Sequence, residues 1–177
     1  ASLRQELAKE GHVFQTTVDS EVVLSLIARS RKKTLEERVA EAANAIKGAF
    51  AILIMSNDKL IAFRDPYGFR PLCLGRLDHG WVVASETCAL DLVGAHYVRD
   101  IKPGEMIVID DADKEPTSLM YAQHQPEHRA HCIFEFVYFA RPDSIMDGES
   151  IYFARVNMGR ILARETKDIK ADIVISV

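Results

Sequence analysis

The side chains in this sequence that could do chemistry are a carboxylate at the start of a helical stretch, a knot of arginines and aspartates around a turn, and three thiols. Asp19 stands just before Val22, Val23, Leu26 and Ile27, whose spacing is that of a helix with one apolar face. Such a carboxylate can cap the helix, with Asp19 or Ser20 as N-cap, or it can receive a cationic group as an acceptor fixed on a rigid element. Arg64-Asp65-Pro66, followed by Gly68, Arg70 and Pro71, reads as a connection in which Asp65 and Arg70 pair locally and Gly68 takes a positive φ. Ser85-Glu86 reads as a helix start near the same place. Cys73, Cys88 and Cys132 are odd in number and widely spaced, which favours reduced thiols over a disulfide framework. Neither Cys73 nor Cys88 has a histidine at a telling distance, so a Cys-His hydrolase finds no support. The six histidines, including His124, His128 and His131, follow no zinc spacing and read as solvent residues.

These groups need elements to hold them, and the chain supplies a regular series. Helical stretches over 2–10 and 19–30 are followed by a third that Thr34 and Glu37 open as a capping box and that runs to about residue 46. The pattern then turns to short apolar runs. Hairpins are predicted for 49–56 with 59–64 and for 72–77 with 81–85, a brief helix for 87–93, and strands for 97–99 and 105–110 on either side of Pro103-Gly104. Residues 111–126 read as a polar surface excursion. The run 133–140, almost wholly β-branched, aromatic or small, predicts a strand buried on both faces, stopped by Arg141-Pro142-Asp143-Ser144. A helix over 151–165 carries Arg155, Arg160 and Arg164 near one flank and Val156, Ile161 and Leu162 for burial. Residues 171–177 then read as the first strand of a parallel sheet, and a natural chain seldom stops within one. The class is α+β passing into α/β.

Composition narrows the partners. With 22 Lys and Arg against 26 Asp and Glu, the formal charge of −4 gives no reason to expect nucleic acid or an anionic membrane. No apolar run approaches the roughly 18 residues of a spanning helix, and residues 1–11 are too charged for a signal peptide. Small molecules or further copies of the chain are the expected partners, and a cytoplasmic location is the default.

The string YFARPDS (138–144), with CIFEFV before it and Arg155-Val-Asn-Met-Gly-Arg160 after it, resembles the junction between the two domains of the glutamine phosphoribosylpyrophosphate amidotransferase (amidophosphoribosyltransferase) family. The resemblance continues through DSE (19–21), RDPYGFRPLCLG (64–75), ASETCALD (84–91) and VRDIKPGE (98–105), in order over nearly the whole chain. It implies a partial N-terminal-nucleophile glutaminase, an αββα sandwich, leading into an α/β phosphoribosyltransferase domain. Residues 1–130 would be the second half of the glutaminase domain; residues 131–177 would be an interdomain strand and helix and the start of the transferase.

The resemblance also assigns roles. Asp19 would bind the α-amino group of glutamine, and Val18 stands where the family often has a hydroxyl residue. The parent reaction would hydrolyse the glutamine side-chain amide through a cysteinyl thioester and pass ammonia to C1 of phosphoribosyl pyrophosphate, in the first step of purine synthesis. That chemistry uses a chain-initial cysteine and oxyanion donors from an Asn-Gly pair, neither of which can be placed here; Ala1 offers no nucleophile, so no catalytic residue is assigned and the piece alone is expected to be inactive. Cys132 corresponds to the first thiolate ligand of a 4Fe-4S cluster in one branch of the family, or is a structural cysteine. Magnesium and the ribose pyrophosphate would bind beyond Val177, and a homo-oligomer is expected. The 138–144 stretch could help seal the path by which ammonia passes between sites. An asparagine-synthetase-like ligase, sharing the DSE, RDPYG and ASE strings, and a non-catalytic regulatory or assembly module are the alternatives.

Overall fold

A computed structural model describes residues 2–124 and 126–175. Its frame is two antiparallel sheets whose strand residues alternate between two apolar layers. The first sheet has the order β1 (Ala51–Met55), β2 (Leu60–Arg64), β6 (Glu105–Ile109), β7 (Thr117–Met120). The second has the order β4 (Trp81–Ala84), β3 (Cys73–Arg76), β5 (His96–Asp100).

Period-two alternation sorts the side chains. Ile61 and Phe63 of β2 and Met106 and Val108 of β6 face helices α2 (Asp19–Arg29) and α3 (Leu35–Ala45), meeting Val23, Ile27, Val39, Ala42 and Ala43. Their neighbours Ala62 and Ile107 face the other way, onto Leu72, Leu74 and Ile101 between the sheets. On the outer face of the second sheet, Cys73, Val82 and Ala84 pack with Leu90 of the short helix α4 (Thr87–Leu92). The order is therefore helices, sheet, sheet and the short α4, a mixed α and β arrangement. Gly75 permits this last contact, since a Cβ there would stand 2.8 Å from a Leu90 methyl.

Local signals behave as physical chemistry dictates at most junctions. Thr34 and Glu37 form the reciprocal capping box at the head of α3. Helix α1 (Ser2–Lys9) ends at Gly11 with φ +88°, where the His12 amide reaches back to the Leu7 carbonyl. The β7 strand was not anticipated in the polar stretch 111–126. Its side chains are exposed, so it carries no apolar pattern, and β6 recruits it through main-chain pairing.

Inside this frame Glu105 is buried, taking two bonds from Arg99 (2.7 and 2.8 Å), one from the Lys102 amide and one from the Ser118 hydroxyl. Burial alone would push this carboxyl up, but the bonds from Arg99, Ser118 and Lys102 hold it below its usual value. A depressed folded-state pKa contributes stability that is complete above the unfolded value, about 4.3, and is lost as pH falls through the folded one. Urea unfolding at about pH 7 and about pH 3.5 should show the wild type losing more stability than Glu105→Gln. Equal losses would refute this assignment.

Two expectations fail in the C-terminal quarter. Residues 133–140 do not form a buried strand. The main chain turns into a π-helical turn, Glu135–Phe139, closed by the Ala140 amide on the Glu135 carbonyl, and only Glu135 and Ala140 of this stretch are buried. Tertiary ties override β propensity here. Arg155, on helix α5 (Ile151–Glu165), donates to the carbonyls of Phe136 and Ala140, both at 2.7 Å, which fixes the wide turn. Phe134 (56% exposed) and Tyr138 (77%) are left outside. On α5 itself Ile151 is buried, whereas Ile161 and Leu162 are exposed. Residues 171–175 are irregular and exposed, and the last two residues of the expected strand 171–177 lie outside the described ones. The start of an α/β transferase domain is thus not seen here. Among the described residues, no helix is long and apolar enough to cross a membrane.

Candidate functional site

Asp19 is the first helical residue of α2, not its cap. Val18 occupies the N-cap position and contributes no side-chain bond. The Asp19 carboxylate makes no ion pair or side-chain hydrogen bond among the described residues, and it lines an open cleft of about 830 Å³ with Arg4, Glu6, Thr17, Ser20, Lys47 and Phe50.

The approach to Asp19 is held from both sides. Glu21 accepts from the amides of Gln15 (2.7 Å) and Thr16 (3.0 Å), and Arg4 donates to the carbonyls of Thr16 and Val18, both at 2.7 Å. The amide of Gln15 and the hydroxyl of Thr16 hold the Glu21 carboxyl below its usual value. A loop that would otherwise be free is so pinned in front of the helix, with the macrodipole's positive end behind the carboxylate. The arrangement suits an ammonium ligand. An anionic acceptor fixed by its helix gains most from a cation that brings its own donors.

The Arg64–Pro71 stretch is organised differently from the expected Asp65–Arg70 pair. Asp65 is fully buried and accepts from the amides of Phe50 (3.3 Å), Tyr67 (2.9 Å) and Phe69 (3.0 Å). The Arg64 guanidinium gives its donors to the carbonyls of Gly68, Arg70 and Ile101. Each charge satisfies main chain, so the loop is rigid without the two pairing to one another. Gly68 does adopt a positive φ of 65°, and a side chain there would meet Pro103. Arg70 reaches outward to Glu135 at 3.1 Å. Since Phe50 lines the cleft, Asp65 ties the cleft wall to the loop that meets the π turn.

Glu86 is a residue whose role sequence reasoning missed. It stands at the N-cap position of α4, but its carboxylate takes no capping amide from that helix, and the Cys88 thiol of α4 approaches it at 3.7 Å. It accepts instead from the Arg141 amide (2.7 Å) and the Ser144 hydroxyl (2.9 Å), 55 and 58 residues away. Only the nearness of ASE and RPDS within one resemblance could have hinted at it.

The cysteines do not assemble a site. Cys73 is buried between β3 and α4, and burial pushes its thiol up to about 12, where no thiolate forms at neutral pH. Cys88 is buried in α4. Cys132 is half-buried, its amide bonded to the Phe69 carbonyl. Among the described residues no group of three or more His, Cys, Asp or Glu could hold a metal ion. A 4Fe-4S cluster takes four thiolates, so the residues present do not by themselves fit one. The histidines are not all solvent residues. His131 is only 17% exposed, beside Asp147 and tilted against Phe136, and His12 meets the Ser25 hydroxyl at 2.7 Å.

Comparison with known proteins gives a consistent answer. A family model for the glutamine amidotransferase domain matches residues 1–92. The amidophosphoribosyltransferase of Archaeoglobus fulgidus is 42% identical over 184 residues, covering 100% of this chain and 38% of its own. That of Bacillus subtilis is 42% identical over 175 residues, covering 99% and 36%. The solved glutamine phosphoribosylpyrophosphate amidotransferase from B. subtilis, complexed with ADP and GMP, superposes with a TM-score of 0.90 over 97% of this chain and 36% of that one. The chain spans less than two fifths of the length of these relatives.

Proposed function

The chain belongs to the glutamine amidotransferase domain family and resembles amidophosphoribosyltransferases along its whole length, and on that premise we propose that it serves the glutamine half of such an enzyme. The parent reaction has two balanced steps. Glutamine and water give glutamate and ammonia; ammonia then displaces pyrophosphate from C1 of phosphoribosyl pyrophosphate, leaving phosphoribosylamine after loss of a proton. This is the opening reaction of purine synthesis.

Within this chain, Asp19 receives the α-amino group of glutamine. The observation that carries this reading is the Asp19 carboxylate, without a side-chain partner among the described residues, at the rim of the 830 Å³ cleft behind a loop that Glu21 and Arg4 pin. The nucleophile is not one of the three cysteines, whose placements are structural or at the joint. In this reading it comes from the part of the relatives' length that this chain does not span. The division between a glutaminase part, 1–130, and an interdomain part beginning at 131 follows the step from the sandwich to the π turn. Cys132 would lend one thiolate to a 4Fe-4S cluster whose other ligands, like the magnesium and phosphoribosyl pyrophosphate sites, lie elsewhere in the full-length protein. That protein is a cytoplasmic homo-oligomer in this reading.

The test is to assay the full-length protein for pyrophosphate release and phosphoribosylamine formation, with either glutamine or ammonia as nitrogen source. Synthesis from both is expected. Glutamine-dependent consumption of ATP and aspartate instead would favour the asparagine-synthetase-like ligase.

A further inference from the structure

We propose that Glu86 is the positioning residue by which the sandwich holds the 141–144 turn at the joint, and that ammonia transfer depends on this hold. The proposal rests on the amidotransferase reading just given. It moves attention away from Arg141, whose exposed side chain pairs, among the described residues, with its neighbour Asp143.

The geometry concentrates on one end of the sandwich. Cys73 pairs with Ala84 across β3 and β4, so the loop entering β3 and the loop leaving β4 are adjacent, and Ala51 pairs with Arg64, which brings the cleft wall to the same end. From there two sets of bonds reach the joint. The loop before β3 accepts the amides of Ala130 and Cys132 on the carbonyls of Tyr67 and Phe69, and Arg70 pairs with Glu135. The loop after β4 supplies Glu86, which takes the Arg141 amide and the Ser144 hydroxyl, and Thr87, whose hydroxyl takes the Ile145 amide at 2.9 Å.

Glu86 is the central grip of the second set. Pro142 gives the turn no amide of its own, which leaves the Arg141 amide and the Ser144 side chain as its means of attachment. Ser144 is buried, its amide on the Arg141 carbonyl and its own carbonyl taken by Ile151, the first residue of α5. One carboxylate oxygen therefore fixes the turn and, through Ser144, the start of α5. Without it the first set of bonds still anchors 130–135, but among the described residues the turn beyond Ala140 keeps only the Thr87 hydroxyl and, further on, the approach of Asp147 to Asp100 of β5. A misplacement of about 1 Å far from the chemistry can cost about a hundredfold in rate, so the hold on this joint is of a size to matter.

The test uses the full-length enzyme with Glu86→Ala, Glu86→Gln and Ser144→Ala. For Glu86→Ala, glutamine-dependent synthesis should fall about tenfold while ammonia-dependent synthesis stays within about twofold, and glutamate released per phosphoribosylamine should rise from near one to about three or more. Glu86→Gln keeps an acceptor oxygen and should restore most of the coupling. Ser144→Ala removes one of the two donors that the joint gives Glu86 and should shift the ratio less, in the same direction. Retained ammonia-dependent activity shows that the variants fold. A Glu86→Ala enzyme that keeps the wild-type ratio, or that loses both activities equally, overturns the proposal. A wild-type enzyme that makes no phosphoribosylamine from glutamine overturns the amidotransferase reading beneath it.

Discussion

Replacing Asp19 by alanine in the full-length enzyme should lower kcat/KM for glutamine by about two orders of magnitude, with ammonia-dependent synthesis almost untouched. Truncating one partner of a desolvated charge pair costs about 2–5 kcal/mol, and each 1.4 kcal/mol is about a factor of ten. The cleft is open, so the lower part of that range applies. Asp19→Asn keeps an acceptor oxygen while losing the charge, and a loss of about tenfold is expected for it. The ammonia control matters because Asp19 also sits in the first turn of α2, where a carboxylate favours the helix by about 0.5 kcal/mol. A purely helical role would lower both activities together with stability. A drop of less than about threefold for glutamine would remove Asp19 from the binding site.

The largest effect on stability is expected at Asp65. Its carboxylate holds the amides of Phe50, Tyr67 and Phe69 in a fully buried setting, beside a guanidinium each of whose three nitrogens donates to a carbonyl. Asp65→Ala leaves three amides without a partner and removes one of the carboxylates that, with Asp147 and Asp100, compensate the Arg64 charge, for a cost of about 3–5 kcal/mol. Asp65→Asn can still accept and should recover about half of that loss. Chemical denaturation of both variants measures it directly, and a cost under about 1 kcal/mol for alanine would show that water replaces the carboxylate. The same variant should loosen the cleft wall, because Phe50 is one of the three residues released.

How much of this was legible beforehand depended on whether the signal was local. The capping box at Thr34, the glycine after α1 and both hairpins are written within a few residues, and all formed. The sandwich was read through resemblance; alternation alone could not assign β3 and β4 to a second sheet, because the partners of Leu74 and Ala62 are fixed only on folding. The run 133–140 misled for the opposite reason. Its composition is that of a buried strand, yet Arg155 and Arg70, 15 or more residues from their partners' turn, decide its shape. Asp65 was rightly seen as local but given the wrong partner, since a carboxylate near an arginine reads as a pair until the main-chain donors are counted. For Glu86, nothing in its neighbourhood distinguishes a helix cap from a grip on a turn 55 residues away.

The grading of the three thiols has a practical side. Cys73 is shielded and held protonated, Cys88 is enclosed in α4, and Cys132 is partly open beside the π turn. An alkylating dye offered to this chain by itself at neutral pH would select the last, placing a native fluorescent reporter at the joint without mutation. Changes in its emission would then track the loosening of that joint as denaturant is added.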